Sequence, residues 1–159
     1  MNKLYLLLGS NIGDINVQLD IAIMHIEKNI GNLIKKSSLY KTAAWGNTNQ
    51  HDFINQVILV ESKFDAEEII QAIFKIEKQM GRVRTIKNAA REIDIDILFF
   101  NNEIINTESL TVPHKEIQNR MFVLVPMMEI APKLKHPLLK KDISTLILLC
   151  RDALNVQKI

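Results

Sequence analysis

Two periodicities take turns along this chain, and their order restricts the fold more than any single residue does. Residues 3–8 form a short apolar run of strand character, and a turn is expected at 9–14. Ile15, Leu19, Ala22, Ile23, Ile26 and Ile30 then recur at steps of three and four, an apolar helical stripe that Gly31 ends. Residues 33–42 and 53–62 again have strand character, joined by a polar loop at 43–52. Asp65 with Glu68 three residues later resembles a capping box, and Ile69, Ile73, Ile76 and Met80 mark a second buried helix face before Gly81. Residues 93–100 close the series as an apolar strand interrupted by two aspartates. Strand, helix, strand, strand, helix, strand is the split βαβ, or ferredoxin-like, α+β unit, and right-handed crossovers leave it the strand order 4-1-3-2.

That topology gathers the turn at 9–14, the loop at 43–52, the loop at 81–92 and the start of the fourth strand at one end of the sheet. The first strand puts Leu4, Leu6 and Leu8 on one face and Tyr5 and Leu7 on the other, so both faces need covering. Residues 121–130 and 142–150 are apolar enough to form helices on the second face. The expectation is a three-layer α-β-α sandwich in a single domain spanning 1–159.

Composition narrows the function classes. With 47% hydrophobic and 24% charged residues in 159, the chain has the makings of a globular domain that needs no staples. One cysteine, Cys150, excludes an internal disulfide framework and a multi-cysteine zinc site and suits a reducing cytoplasm. The longest stretch without a polar side chain, 121–128, is eight residues, far short of a membrane helix. A net charge of +2 argues against a broad nucleic-acid footprint. Arginine is unevenly spread: four of the five lie between 82 and 120, where something local calls for planar, forked donors.

Asp94 and Asp96 alternate with isoleucines, so strand pleating places both carboxylates on one face, about 7 Å apart. Hard oxygen ligands without a His/Cys cluster favour magnesium; an exposed polar edge strand is the bland alternative. Arg82, Arg84, Lys87 and Arg91 lead directly into that strand, and forked cations beside metal-binding carboxylates suit a phosphate chain, although a solvated basic loop reads the same way. The 9–14 segment lacks the Gly-Lys-Ser/Thr of a phosphate loop, and Asp14 reads as a helix cap. Thr42, Trp45, His51, Phe53 and Asn55 mix aromatic faces with polar groups. Phe53 and Asn55 share strand parity, which fits a flat heterocycle in one pocket and equally a loop anchor and a core ring. Glu77 interrupts the apolar stripe of the second helix, where a carboxylate needs a partner. His114 gains interest from Arg120 and Phe122 nearby, while His25 and His136 read as incidental.

Gly-Ser-Asn-Ile-Gly-Asp at 9–14, Gly-Arg-Val-Arg at 81–84, Arg-Glu-Ile-Asp-Ile-Asp-Ile-Leu-Phe at 91–99, and Val-Pro-His at 112–114 followed by Arg-Met-Phe-Val-Leu-Val-Pro at 120–126 together resemble the 6-hydroxymethyl-7,8-dihydropterin pyrophosphokinase family of folate biosynthesis. The resemblance covers roughly residues 4 to 150. It implies transfer of pyrophosphate from ATP to the hydroxymethyl group of the reduced pterin. It also implies two magnesium ions on Asp94 and Asp96, and Arg82 and Arg91 closing over the phosphates. ATP would be bound by Glu77, Arg84, Lys87, Arg91, Ile97 (through its backbone), His114, Lys115 and Arg120. The pterin would lie between Phe53 and Phe122, read by Asn55 and by groups around Thr42, Ala43 and Trp45. The chain departs from the family's habits at Ala43 and Ala44, at Phe74, at Asn88, Ala89 and Ala90, and at Lys115.

The resulting expectation is a cytoplasmic monomer acting on small molecules, with neither nucleic acid nor membrane as partner. Two rivals stay open at this point: another Asp-x-Asp, magnesium-dependent nucleotide-using transferase, and a non-enzymatic ligand-binding module of the same fold.

Overall fold

A computed structural model of the chain describes residues 1–11, 13–43, 52–81 and 93–159. The elements run β1 (Asn2–Ser10), α1 (Ile15–Asn29), β2 (Asn32–Lys36), β3 (Tyr40–Thr42), β4 (Phe53–Ser62), α2 (Ala66–Gln79), β5 (Asp94–Phe100), β6 (Ile105–Asn106), β7 (Thr111–Val112), α3 (Met121–Ile130), α4 (Ile143–Leu149) and β8 (Gln157–Lys158), with a 3₁₀ turn at Ile117–Asn119. Helix starts follow the capping signals. Asp14 accepts the Val17 N–H at 3.3 Å, and Asp65 and Glu68 form a complete capping box.

The main sheet is antiparallel in the order β5-β1-β4-β3-β8, with β2 also paired to β4. Its first four positions are the expected 4-1-3-2 order, the second expected strand being divided. Residues 33–42 do not form one strand: β2 and β3 flank Ser37, whose hydroxyl accepts the Val57 N–H at 3.0 Å while its own N–H donates to the Val57 carbonyl at 2.8 Å. A side chain thus takes a ladder position, and the chain jogs without leaving β4. Two further differences matter. β1 continues through Gly9 and Ser10, which were expected in a turn, and β8 adds a strand that no periodicity announced.

Each face of the sheet buries its own core. Leu4, Leu6 and Leu8 pack with Leu19, Ile26, Ile69, Ile73 and Ile76 from α1 and α2. On the other face Leu7, Val57 and Phe99 pack with Val123, Leu124 and Met127 of α3 and with Ile143 and Leu146 of α4. Full burial of each such side chain is worth about 1.5–3 kcal/mol, so both helix layers are integral to the fold and the three-layer arrangement holds. Cys150, at the end of α4, packs against this second core. No helix among the described residues is long and apolar enough to cross a membrane.

Candidate active site

One row of residues crosses the sheet at the end of β1. Tyr40 pairs with Asn55, Asn55 with Gly9, and Gly9 with Asp94. Alternate residues of a strand share a face, so Phe53 and Asn55 on β4 and Asp94 and Asp96 on β5 project toward α3, whereas Ile95 and Ile97 turn into the α1/α2 core. The four side chains line a single cleft of about 590 Å³, part of it open to solvent, together with Leu7, Gly9, Thr42, Ala43, Arg120 and Phe122.

Gly9 is the member that sequence reasoning missed. A Cβ built there would meet Asn55 Oδ1 at 2.8 Å, so the absent side chain leaves the space into which the buried Asn55 carboxamide reaches. A glycine inside a strand often marks a close approach, and that was the available signal.

The walls are a sheet and a helix. Phe53 pairs with Thr42 of β3. Phe122 stands in the first turn of α3, with the Arg120 guanidinium 5.6 Å from its ring centroid. Arg120 also lies 3.9 Å from Glu116. His114 sits beside this group. Burial and the Arg120 charge hold it below its ordinary 6.5, against the opposing pull of Glu116 and Asp94. Its Nδ1 accepts the Glu116 N–H at 3.1 Å, so the neutral ring carries its proton on Nε2. Lys115 is exposed and not part of the cleft lining.

Glu77 lies elsewhere. It is 1% exposed, belongs to the α2 side of the sheet, and its carboxylate accepts the Ile95 N–H at 2.8 Å. The backbone between the two aspartates is therefore held from behind by a third carboxylate. The Ile97 side chain is core, which leaves only its backbone for any ligand. Phe74 is likewise packed against the α1/α2 core. Trp45, Arg82, Arg84, Lys87 and Arg91 fall outside the described residues, as do His51, Ala44, Asn88, Ala89 and Ala90.

The donor set fits magnesium. Asp94 and Asp96 are both half-buried at the cleft, and no group of three or more His, Cys, Asp or Glu among the described residues makes a closed metal site. A hard ion held by two carboxylates completes its shell with water and phosphate oxygens, as magnesium characteristically does. β1 divides the cleft: the Phe53 ring and the buried Asn55 carboxamide stand on β4 and the paired carboxylates on β5, so an aromatic face and an amide lie to one side of Gly9 and hard oxygen ligands to the other.

A ferredoxin-like α+β enzyme core with such a divided cleft is the class this molecule falls into. The family described as 7,8-dihydro-6-hydroxymethylpterin-pyrophosphokinase (HPPK) matches residues 5–132, and the chain belongs to it. Among its relatives, a 2-amino-4-hydroxy-6-hydroxymethyldihydropteridine pyrophosphokinase of Aquifex aeolicus is 38% identical over 143 residues, covering 90% of this chain and 89% of the relative. The protein of the same name from Haemophilus influenzae is 38% identical over 134 residues, covering 84% of each. In fold, the chain resembles the crystal structure of wild-type Plasmodium falciparum HPPK-DHPS with pteroate, at a TM-score of 0.76 and 20% identity over 93% of this chain. It spans 42% of that longer chain.

Proposed function

We propose that this chain transfers the β,γ-pyrophosphoryl group of ATP to the hydroxymethyl oxygen of 6-hydroxymethyl-7,8-dihydropterin, yielding AMP and the pterin diphosphate, a step in making folate. Family membership supports the reaction. The observation that carries the residue assignments is the single cleft that Phe53, Asn55 and Phe122 line together with Asp94 and Asp96, with side-chain-free Gly9 between Asn55 and Asp94.

In this reading Phe53 and Phe122 hold the ring between them, and Asn55 offers a donor and an acceptor to its polar edge, helped by groups at Thr42, Ala43 and Trp45. Asp94 and Asp96 would hold two magnesium ions. When bound, these supply charge neutralisation for the phosphate oxygens and make the attacking hydroxyl more acidic. Arg120, His114 and Lys115 take the nucleotide side, with Arg84, Lys87 and the Ile97 backbone. Neutral His114 donates from Nε2. Arg82 and Arg91 close over the triphosphate and stabilise charge on the bridging oxygen. The pterin oxygen forms a bond to the β-phosphorus, the bond from that phosphorus to the oxygen of the α-phosphate breaks, AMP leaves with the electron pair, and the hydroxyl proton passes to solvent. Alignment and neutralisation carry the reaction, so a strong general base is unnecessary.

Glu77 supports this site from the far side of β5, holding the strand that bears the aspartates. The 159 residues act as one domain, a cytoplasmic monomer in this reading. Sedimentation at micromolar concentration tests the oligomeric state.

The deciding experiment is a pterin-dependent AMP assay on the wild type and on Asp94→Asn and Asp96→Asn. Loss of at least about 100-fold in each variant, with the unfolding midpoint unchanged, is expected. AMP formation independent of pterin, or full activity in both variants, overturns the assignment.

A further inference from the structure

The segment after α4 touches both walls of the cleft. Asp152, half-buried, accepts the Met121 N–H through Oδ2 at 3.0 Å and the Leu154 N–H through Oδ1 at 3.0 Å. Met121 is the first residue of α3, and Arg120 before it makes no side-chain cap. Helices leave their first N–H groups without internal partners, and a carboxylate there also meets the positive end of the helix dipole. The first turn of α3 has further need of such support. Pro126 has no N–H to give the Phe122 carbonyl, so one bond that would hold this turn from within is missing. Arg120 and Phe122, on either side of the residue Asp152 holds, both line the cleft.

Five residues on, the same segment reaches the other wall. Gln157 and Lys158 pair with Lys41 and Tyr40 of β3, and the Ile159 N–H donates to the Leu39 carbonyl at 3.0 Å. β3 continues directly into Thr42 and Ala43 of the cleft. The far end of α3 is separately tied to the same side of the sheet. Glu129 accepts the Tyr40 hydroxyl at 2.6 Å and the Ser38 hydroxyl at 2.9 Å, and Lys35 Nζ donates to the Ile130 carbonyl at 3.1 Å. The end that bears Phe122 has Asp152 in the corresponding place.

We infer that Asp152 is a positioning residue for the reaction, and that with the strand after it Asp152 sets the spacing between Phe122 on α3 and the Phe53/Thr42 wall, and hence affinity for the pterin ring. This rests on the reading of Phe53 and Phe122 as the ring-binding pair. The segment does not line the cleft, so its effect runs through those residues.

Asp152→Ala, Asp152→Asn and a chain ending at Val156 test it, each compared with wild type for pterin and ATP constants and for unfolding midpoint, at a temperature well below every midpoint. Asp152→Ala and the shortened chain are expected to weaken pterin binding about tenfold. ATP binding, which Arg120 shares with groups on other elements, should weaken less than pterin binding, and Asp152→Asn, which keeps an oxygen acceptor for Met121, should recover most of the loss. If Asp152→Ala does not fold, Asp152→Asn and the shortened chain carry the same comparison. A lowered midpoint with unchanged pterin affinity overturns the inference and makes the segment a structural brace. Equal loss for ATP and pterin overturns it too. Wild-type protein that binds no pterin removes the functional reading itself, a result distinguishable from these because it needs no variant.

Discussion

Gly9 and Asn55 stand opposite each other on β1 and β4, and a single added methyl group at Gly9 would lie 2.8 Å from Asn55 Oδ1. The contact is with a side chain rather than backbone, so the carboxamide must swing while the strands stay. Gly9→Ala is therefore expected to fold with a near-normal midpoint and to lose pterin affinity by roughly tenfold to a hundredfold, since displacing a positioning group by about 1 Å is enough for such losses. Titrating pterin and ATP separately checks this; an equal loss for both would point to general damage.

The Glu77 carboxylate is buried and accepts the Ile95 N–H. Glu77→Ala leaves that donor without its partner and is expected to cost about 1–3 kcal/mol for the orphaned group alone. Glu77→Gln retains an acceptor oxygen and should be the more stable of the two. Urea unfolding of both variants decides; equal midpoints would mean the bond contributes nothing.

His136 is 3% exposed, and its Nδ1 accepts two backbone N–H groups, from Leu138 at 3.2 Å and Leu139 at 3.1 Å. Burial holds its pKa below the ordinary 6.5. The unfolded chain consequently takes up the proton first as pH falls. Stability from this group is complete above pH 6.5 and declines below it. His114 is shifted in the same direction and adds to the decline. His136→Asn keeps an acceptor without the titration, so its urea midpoint should fall less between pH 7.5 and pH 5 than the wild type's.

Tyr40 is 6% exposed and gives its hydroxyl to Glu129 at 2.6 Å. Partial burial works to raise the Glu129 carboxyl, but the bonds from Tyr40 and Ser38 outweigh it and leave the group below its usual range. Burial, then Glu129, pushes the Tyr40 phenol up to about 12 from 10.0. Tyr40→Phe is expected to lose about 1.5–3 kcal/mol, the range for a hydrogen bond to a charged group. The wild type should also lose stability between pH 10 and pH 12, because the unfolded tyrosine ionises first, and Tyr40→Phe should lack that component. Guanidinium midpoints at pH 8 and pH 11 measure both effects.

Periodicity made the strand and helix order legible, because a core on each face of the sheet forces alternation in β1 and three-four steps in α1 and α2. The aspartate pair, Phe53 with Asn55, and Phe122 with Arg120 were legible for a related reason: parity and adjacency are local. What escaped was contact between distant backbone and side chains. Ser37 replaces a ladder group with its hydroxyl, Asp152 serves a helix that starts 31 positions earlier, and β8 finds β3 across most of the chain; none of these leaves a periodic trace. Gly9 was misread because a glycine after an apolar run looks like the start of a turn. That Glu77 needs a partner is legible from its place in an apolar stripe; that the Ile95 N–H is one of its partners is not.

Both margins of the main sheet carry features that discourage further pairing. On the β5 side, Glu77 takes the Ile95 N–H and the His114 N–H takes the Leu98 carbonyl, while on the other side β8 covers β3 and the short β2 carries Lys35 and Lys36. Open margins recruit strands from other molecules, and caps, brevity and lysines are the usual deterrents. A cleft built at the ends of β1, β4 and β5 thus comes with built-in resistance to cross-β aggregation in crowded solution.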